Sequence, residues 1–228
     1  PAWSRRACFS SALVLAASRA VAHEAAALRA GRWQTTLGRT VRGRTLGILG
    51  YGNIGRLVAG FGKTFGMNVI AFGREATRTR AQADGVPMVG SQRELFAASD
   101  VLSVHLRLVP ETRGIVSADD LAAMRPDSLF VNTSRAELVA PGALLAAIRA
   151  GRPGQAAVDV FESEPGGDAE LIADPRVLAT PHIGYVERDS YELYFGVAFD
   201  NVLALAAGAP VNVVNPEALS GPAAPGRS

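Results

Sequence analysis

The sequence predicts an α/β fold built on a doubly wound parallel sheet, and three observations carry that prediction. Short apolar runs of strand length alternate with segments of helical periodicity along most of the chain. A glycine-rich turn, Gly50-Tyr51-Gly52-Asn53-Ile54-Gly55, stands between the first clear strand and a helix. Polar clusters follow three of the later strands, at the sheet edge where such folds bind their ligands.

Taken in order, the chain opens on a segment with two readings. Arg5-Arg6, an apolar stretch and Ala20-Val21-Ala22 imitate a secretory signal with a small-residue cleavage site. The competing reading is one helix reaching Arg29. Leu13, Ala16, Ala17, Ala20, Val21 and Leu28 can share a face there, and Gly31 can end it. The nucleotide fold downstream favours the helix, while residues 1–10 show no periodicity and are expected to be foreign or frayed. Leu46-Gly47-Ile48-Leu49 is too short for a helix and suits a buried strand. Past the glycine turn, Ile54, Leu57, Val58, Phe61 and Phe65 recur at helical spacing. Gly50 would make the tight turn, Gly52 would let a pyrophosphate approach the backbone, and Gly55 would let helix and strand close up. The helix N-terminus would add unpaired N–H groups and a positive dipole end. Strand, turn and helix in this order predict a Rossmann-type dinucleotide-binding domain.

Asn68–Phe72 reads as the second strand and Val86–Val89 as a weak third, followed by a helix near Gln92–Ala98. Asp100–Leu106 is the fourth strand, with a loop through Pro110 and a helix from about Ala118. Ser128–Asn132 is the fifth, and a helix runs from Pro141, a residue suited to a first helical turn, to Arg149. Ala156–Val160 and Val177–Ala179 are the sixth and seventh. A long helix from about Arg188 to Ala207 closes the pattern at Gly208, and the Pro-, Gly- and Ala-rich tail beyond Asn215 is expected to be disordered.

Composition excludes several functions. The 228 residues are 48% hydrophobic and 19% charged, an ordinary globular balance. One cysteine, Cys8, rules out a disulfide framework and a cysteine metal cluster and suits a reducing cytoplasm. A net charge of +2 from scattered arginines offers no stripe for nucleic acid. No apolar run reaches the ~18 residues that a membrane span requires.

The three polar clusters are Asn132-Thr133-Ser134-Arg135, Asp159 to Glu164, and Thr180-Pro181-His182-Ile183-Gly184. They would bring an Arg, a Glu and a His to one rim, a set sufficient for proton-coupled hydride transfer. Arginine offers a two-pronged donor to a substrate carboxylate. Histidine exchanges a proton with the oxygen on the reacting carbon, and glutamate fixes its tautomer and raises its basicity. Singly, each also has a plain structural reading: Arg135 a strand cap, Glu164 a solvated turn, His182 a satisfied loop histidine.

Together these stretches resemble the D-isomer-specific 2-hydroxyacid dehydrogenases. The resemblance runs from about Leu13 to Asn215 and rests on WQTTLG at 33–38, LGILGYGNIG at 46–55, VNTSR at 131–135, AAVDVFESEP at 156–165 and TPHIGY at 180–185. The spacing agrees too, with 29 residues from Arg135 to Glu164 and 18 from Glu164 to His182. The resemblance implies that Arg135, Glu164 and His182 are catalytic and that no metal takes part. It also implies that Gly50, Gly52, Asn53, Ile54, Gly55, Thr133, Asp159 and Gly184 bind the cofactor, and that His105 supports the wall of the site. It implies a 2-oxo or 2-hydroxy acid substrate and a homodimer in which the WQTTLG arm takes part. The expected organisation is residues 1–37 as helix and dimer arm, 38–185 as the dinucleotide-binding domain, 186–215 as a helix returning to a substrate domain, and 216–228 as a disordered tail.

Three departures stand out. Ala136 replaces the glycine that usually follows the family's arginine. The long segment that forms most of the family's substrate domain would precede Pro1, so the chain reads as truncated at that end. The carboxylate that holds the adenosine ribose is replaced by Gly73-Arg74, 23 residues beyond Gly50. Gly73 removes a charge that would repel a 2′-phosphate and Arg74 can pair with one, which favours NADP over NAD. Glu75 argues the other way, since a two-residue shift would restore a carboxylate. The rivals to an enzyme are a dinucleotide-binding regulatory or scaffolding protein of the same fold and an inactive fragment.

Overall fold

The computed structural model describes residues 2–220. They form two compact units that divide between Tyr185 and Val186. The first holds a six-stranded, wholly parallel sheet: β1 Thr45–Leu49, β2 Asn68–Phe72, β3 Val101–Val104, β4 Leu129–Asn132, β5 Gln155–Val158 and β6 Val177–Ala179. Their spatial order is β2-β1-β3-β4-β5-β6. The chain thus winds outward from β1 in both directions, and the β1/β3 gap is the switch point at which such sheets open a ligand crevice. Successive residues face opposite sides of a strand. Accordingly Leu46, Ile48, Val69, Ala71, Val101, Leu129, Val131 and Ala157 enter one core cluster, while Leu49, Leu102, Val104, Phe130, Ala156 and Val158 enter the other.

Helices α3 Asn53–Thr64 and α4 Glu75–Ala83 belong to the first face. Helices α5 Gln92–Ala98, α6 Ala118–Ala123, α7 Ala143–Ala150 and α8 Ala169–Ala173 belong to the second. Neither α4 nor α8 has an apolar period to announce it: EATRTRAQA buries only Ala81, and AELIA only Leu171.

The N-terminal segment corrects two expectations. Residues 2–18 form α1, a regular helix that packs against α3 and lies over β4 and β5, burying Ala7, Leu13, Val14 and Ala17. Far from fraying, residues 2–10 are helical, and Ala7 and Ser10 are fully buried. Nor does one helix reach Arg29. The chain breaks at Ala20, which takes a left-handed φ of 50°, and restarts as α2 Val21–Arg29. Val21 and Leu28, expected on the buried face, are 54% and 57% exposed. Beyond α2, the Glu24 carboxylate accepts hydrogen bonds from the backbone and hydroxyl groups of Thr35 and Thr36, which folds the WQTTLG arm back on the helix. Those bonds, led by the Thr36 hydroxyl, hold the Glu24 pKa down at about 2.

The expected third strand at Val86–Val89 reduces to a single bridge between Ala71 and Met88. Pro87 has no N–H to donate, so the ladder cannot extend past it, and the sheet has six strands where seven were expected. In the second unit, α9 Arg188–Ala206 stacks Tyr191, Phe195 and Phe199 along one face at four-residue spacing. Pro216–Ser220, part of the segment expected to be disordered, form a short 3-10 turn, and the rest of that tail, residues 221–228, lies outside the described residues.

Candidate active site

The glycine turn owes its shape to close approaches. A Cβ on Gly55 would sit 2.2 Å from the Gly50 carbonyl oxygen, and one on Gly50, at φ 97°, 2.7 Å from the His105 carbonyl. A Cβ on Gly52 would meet nothing within 4 Å. Gly52 caps α3 without a side-chain hydrogen bond, which leaves the amides of the first turn to a ligand. An open backbone cradle at a helix N-terminus, beside the switch point, fits the pyrophosphate of a dinucleotide.

From this cradle a cleft of about 710 Å³ runs along the carboxyl edge of the sheet. Among the residues named from sequence, Asn53, Ile54, Thr133, Arg135, Asp159, His182 and Gly184 line it. Gly50, Gly52 and Gly55 do not line it but belong to the turn and helix start that bring Asn53 and Ile54 to it, Glu164 lies behind His182 against a neighbouring cavity, and Gly73 and Arg74 stand outside the cleft at the end of β2. His105 forms part of the wall. Sequence reasoning did not place Arg6, Phe9, Arg107 and Tyr185 there. Arg107 was within reach, since it follows β3 at the ligand edge. Arg6 and Phe9 arrive through the packing of α1, which also sets the Ser10 hydroxyl 2.7 Å from that of Thr133.

The turn after β4 is built by Asn132, whose side chain donates to the Arg135 carbonyl at 2.9 Å and accepts from Ser134 N at 3.0 Å. Buried Asp159, just past β5, organises the loop after β6. It accepts from the Thr180 hydroxyl (2.6 Å), Ile183 N (2.9 Å) and Gly184 N (2.8 Å). A Cβ on Gly184 would lie 3.0 Å from Asp159 Oδ2 and 3.1 Å from the Phe9 ring, so any larger residue must push both side chains back by a few tenths of an ångström. Between these anchors His182 is held at φ 52°. That region costs a non-glycine residue about 1–3 kcal/mol and persists where the surroundings impose it.

His182 Nδ1 pairs with Glu164 Oε2 at 2.6 Å. Its ring meets Tyr185 edge-on at 5.2 Å. With Nδ1 committed to the carboxylate, Nε2 is the nitrogen free to exchange a proton with a ligand. Desolvation works against the ionised Glu164, but hydrogen bonds from His182 and Phe161 N, with the charges of His182 and Arg135, outweigh it and hold its pKa below the ordinary value. The influence of Arg135 on Glu164 joins all three residues in one electrostatic neighbourhood.

His105 behaves differently. Its Nε2 lies 2.8 Å from the Ser103 hydroxyl, and desolvation pushes its pKa down from 6.5 to about 4. Between those values the unfolded chain carries the extra proton. Stability is therefore full above pH 6.5 and declines as the pH falls toward 4. Chemical denaturation across that range should show this slope in the wild type and a flatter one in His105→Asn; identical slopes would overturn the assignment.

Residues 11–184 match the family described as D-isomer specific 2-hydroxyacid dehydrogenase, NAD binding domain. Among curated proteins, the chain is 38% identical over 220 residues to a glyoxylate reductase of Aeropyrum pernix, covering 92% of this chain and 65% of that protein. It is 41% identical over 174 residues to 4-methyl-2-oxopentanoate reductase A of Aspergillus oryzae, covering 75% and 52%. A crystal structure from Ralstonia solanacearum, provisionally named a D-3-phosphoglycerate dehydrogenase oxidoreductase, superposes with a TM-score of 0.91 at 49% identity, covering 95% of this chain and 67% of that one. The chain thus spans about half to two thirds of the length of these proteins. Fold, motif order and relatives agree: the chain belongs to the D-isomer specific 2-hydroxyacid dehydrogenase family, whose NAD binding domain it carries.

Proposed function

We propose that this chain supplies the cofactor site and the proton-transfer pair for reversible hydride transfer between a nicotinamide cofactor and C2 of a 2-oxo or 2-hydroxy acid. The observation that carries this reading is the 2.6 Å His182–Glu164 pair opening on the cleft that Arg135 lines. A bound nicotinamide cofactor supplies the hydride chemistry. The cradle of Gly50, Gly52, Asn53, Ile54 and Gly55 would hold its pyrophosphate, and Thr133, Asp159 and Gly184 its nicotinamide end. Asp159 Oδ2 accepts only from Gly184 among the described hydrogen bonds, so it keeps capacity for a carboxamide. Arg135 would clamp the substrate carboxylate, while His182 Nε2 would exchange a proton with the C2 oxygen. Glu164 would stabilise the imidazolium formed on oxidation of the alcohol. Reduction of glyoxylate, hydroxypyruvate or phosphohydroxypyruvate, followed by loss of nicotinamide absorbance, tests the reading. Dinucleotide binding with no turnover of any 2-oxo acid would favour a regulatory or scaffolding role, or an inactive fragment, instead.

The reading extends to NADP as the preferred cofactor. Gly73 puts no carboxylate at the ribose position. Arg74 is exposed and has no ion-pair partner among the described residues, while the competing carboxylate, Glu75, is engaged by Arg78 at 2.9 Å. Wild type should bind NADPH more tightly than NADH at fixed ionic strength. Arg74→Ala should cut that preference about tenfold, the scale of one charge-assisted contact. A tighter NADH complex, or a ratio unmoved by the substitution, would sink the idea. A lone cysteine supports a cytoplasmic setting. Trp33 and Leu37, 76% and 98% exposed on an arm tied to Glu24, support a homodimer, and a monomer by sedimentation at tens of micromolar would count against it.

A further inference from the structure

We propose that Asp84 is a positioning residue for the adenosine half of the dinucleotide, acting through Tyr51 and Arg56 to pin helix α4 against the glycine turn. The proposal rests on the dinucleotide reading above but not on the choice between NAD and NADP. Tyr51 lies between Gly50 and Gly52, and its side chain is 1% exposed, so it turns away from the cleft into the core. Its hydroxyl donates to Asp84 Oδ2 at 3.0 Å. Arg56, whose amide makes the first helical bond of α3 to Gly52, forks the same carboxylate through Nε at 2.7 Å and Nη2 at 2.9 Å. Two turns on, Lys63 Nζ donates to the carbonyls of Asp84 at 2.6 Å and Gly85 at 3.1 Å. One residue at the C-terminal end of α4 is thus held by the phosphate turn, the first turn of α3 and the last turn of α3.

The clamp matters because α4 buries little of its own surface, although the chain after it is anchored by buried Val86 and by the bridge from Met88 to Ala71. Of its nine residues only Ala81 is buried, and the strand before it, β2, is an edge strand. Burial of one methyl group cannot fix the orientation of a helix. At the other end of α4, a Cβ on Gly73 would lie 3.4 Å from Tyr51 N, so the adenosine side and the phosphate turn abut directly. Arg80 Nη1 also stands 3.5 Å from Asn53 Oδ1. Movement of α4 would therefore shift Gly73 and Arg74 relative to the turn while leaving Arg135, Asp159 and His182, on β4, β5 and β6 edges, where they are. The Arg56 fork keeps the Asp84 carboxyl below its ordinary range, and burial pushes Tyr51 up to about 12, so the clamp stays assembled across neutral pH.

The test compares half-site affinities in wild type, Asp84→Ala and Tyr51→Phe. The probes are ADP-ribose, 2′-phospho-ADP-ribose, reduced nicotinamide mononucleotide and both whole dinucleotides, with titration calorimetry as the readout. Whichever adenosine-side probe the wild type prefers should bind about tenfold more weakly to Asp84→Ala and a few-fold more weakly to Tyr51→Phe. The mononucleotide should bind all three alike. Equal losses at both halves would show a merely structural role and overturn the proposal, as would unchanged affinities. Should Asp84→Ala not fold, Tyr51→Phe, which keeps the ring, decides alone. If the wild type binds neither dinucleotide, the underlying reading falls and takes the proposal with it; if it binds one and the variants match it, the proposal alone fails.

Discussion

Replacing His182 by alanine is expected to lower 2-oxo acid turnover by about a hundredfold to ten-thousandfold, the usual worth of a general acid–base group. Nucleotide affinity should hardly change. The reason is geometric: the imidazole stands past the end of β6, while the cradle that would hold the pyrophosphate is backbone at the carboxyl end of β1, with β3, β4 and β5 between them. Glu164→Gln should act in the same direction but less severely. A glutamine can still accept from Nδ1–H, yet it brings no charge to stabilise the imidazolium. A pH profile of the reduction separates the two roles, because the imidazolium is the proton donor: loss of the carboxylate should move the alkaline limb of the rate to lower pH, and loss of the imidazole should remove it. Wild-type turnover in His182→Ala would show that some other group handles the proton.

The second large effect is expected at Asp159, and it is one of stability as well as rate. Asp159→Leu adds bulk at a buried position and strands the Thr180 hydroxyl and the amides of Ile183 and Gly184 in a part-buried turn. Water reaches part of this turn and Thr180 can turn partly toward the Val158 carbonyl, so at the low end of about 1–3 kcal/mol for each stranded donor a loss of about 2–3 kcal/mol follows. The left-handed His182 would lose the bonds that impose its backbone, so turnover should collapse even where the chain stays folded. Asp159→Asn retains one acceptor and sets its NH2 against a backbone N–H, so it should cost about half as much. Urea midpoints for the three proteins measure this order. An Asn variant as stable as wild type would mean that the loop is held by something other than this carboxylate.

Much of this architecture was legible from local patterns. A four-residue apolar run before Gly50-Tyr51-Gly52-Asn53-Ile54-Gly55 and a 3.6-residue period after it are chemical statements about neighbours, and the structure turned them into β1, turn and α3. The placement of Arg135, Asp159 and His182 on one edge followed because parallel strands of similar length end together, so residues just past β4, β5 and β6 are brought together. Where the pattern failed, it failed for lack of a neighbour to read. Val86–Val89 has strand-like residues, but Pro87 breaks the ladder, and α4 has no apolar face at all.

By itself, then, the sequence determined the sheet, the glycine turn and the identity of the groups at its edge, since these depend on residue type, period and spacing along the chain. Tertiary structure alone decided that α1 packs beside α3 and carries Arg6 and Phe9 into the cleft, with Ser10 meeting a residue 123 positions away. It also decided that Asp159 spends its carboxylate on the His182 loop, and that Tyr51, Arg56 and Asp84 close on one another. These are contacts between side chains from separate elements. Their partners are chosen by the way whole helices and strands bury their faces, which no stretch of sequence encodes on its own.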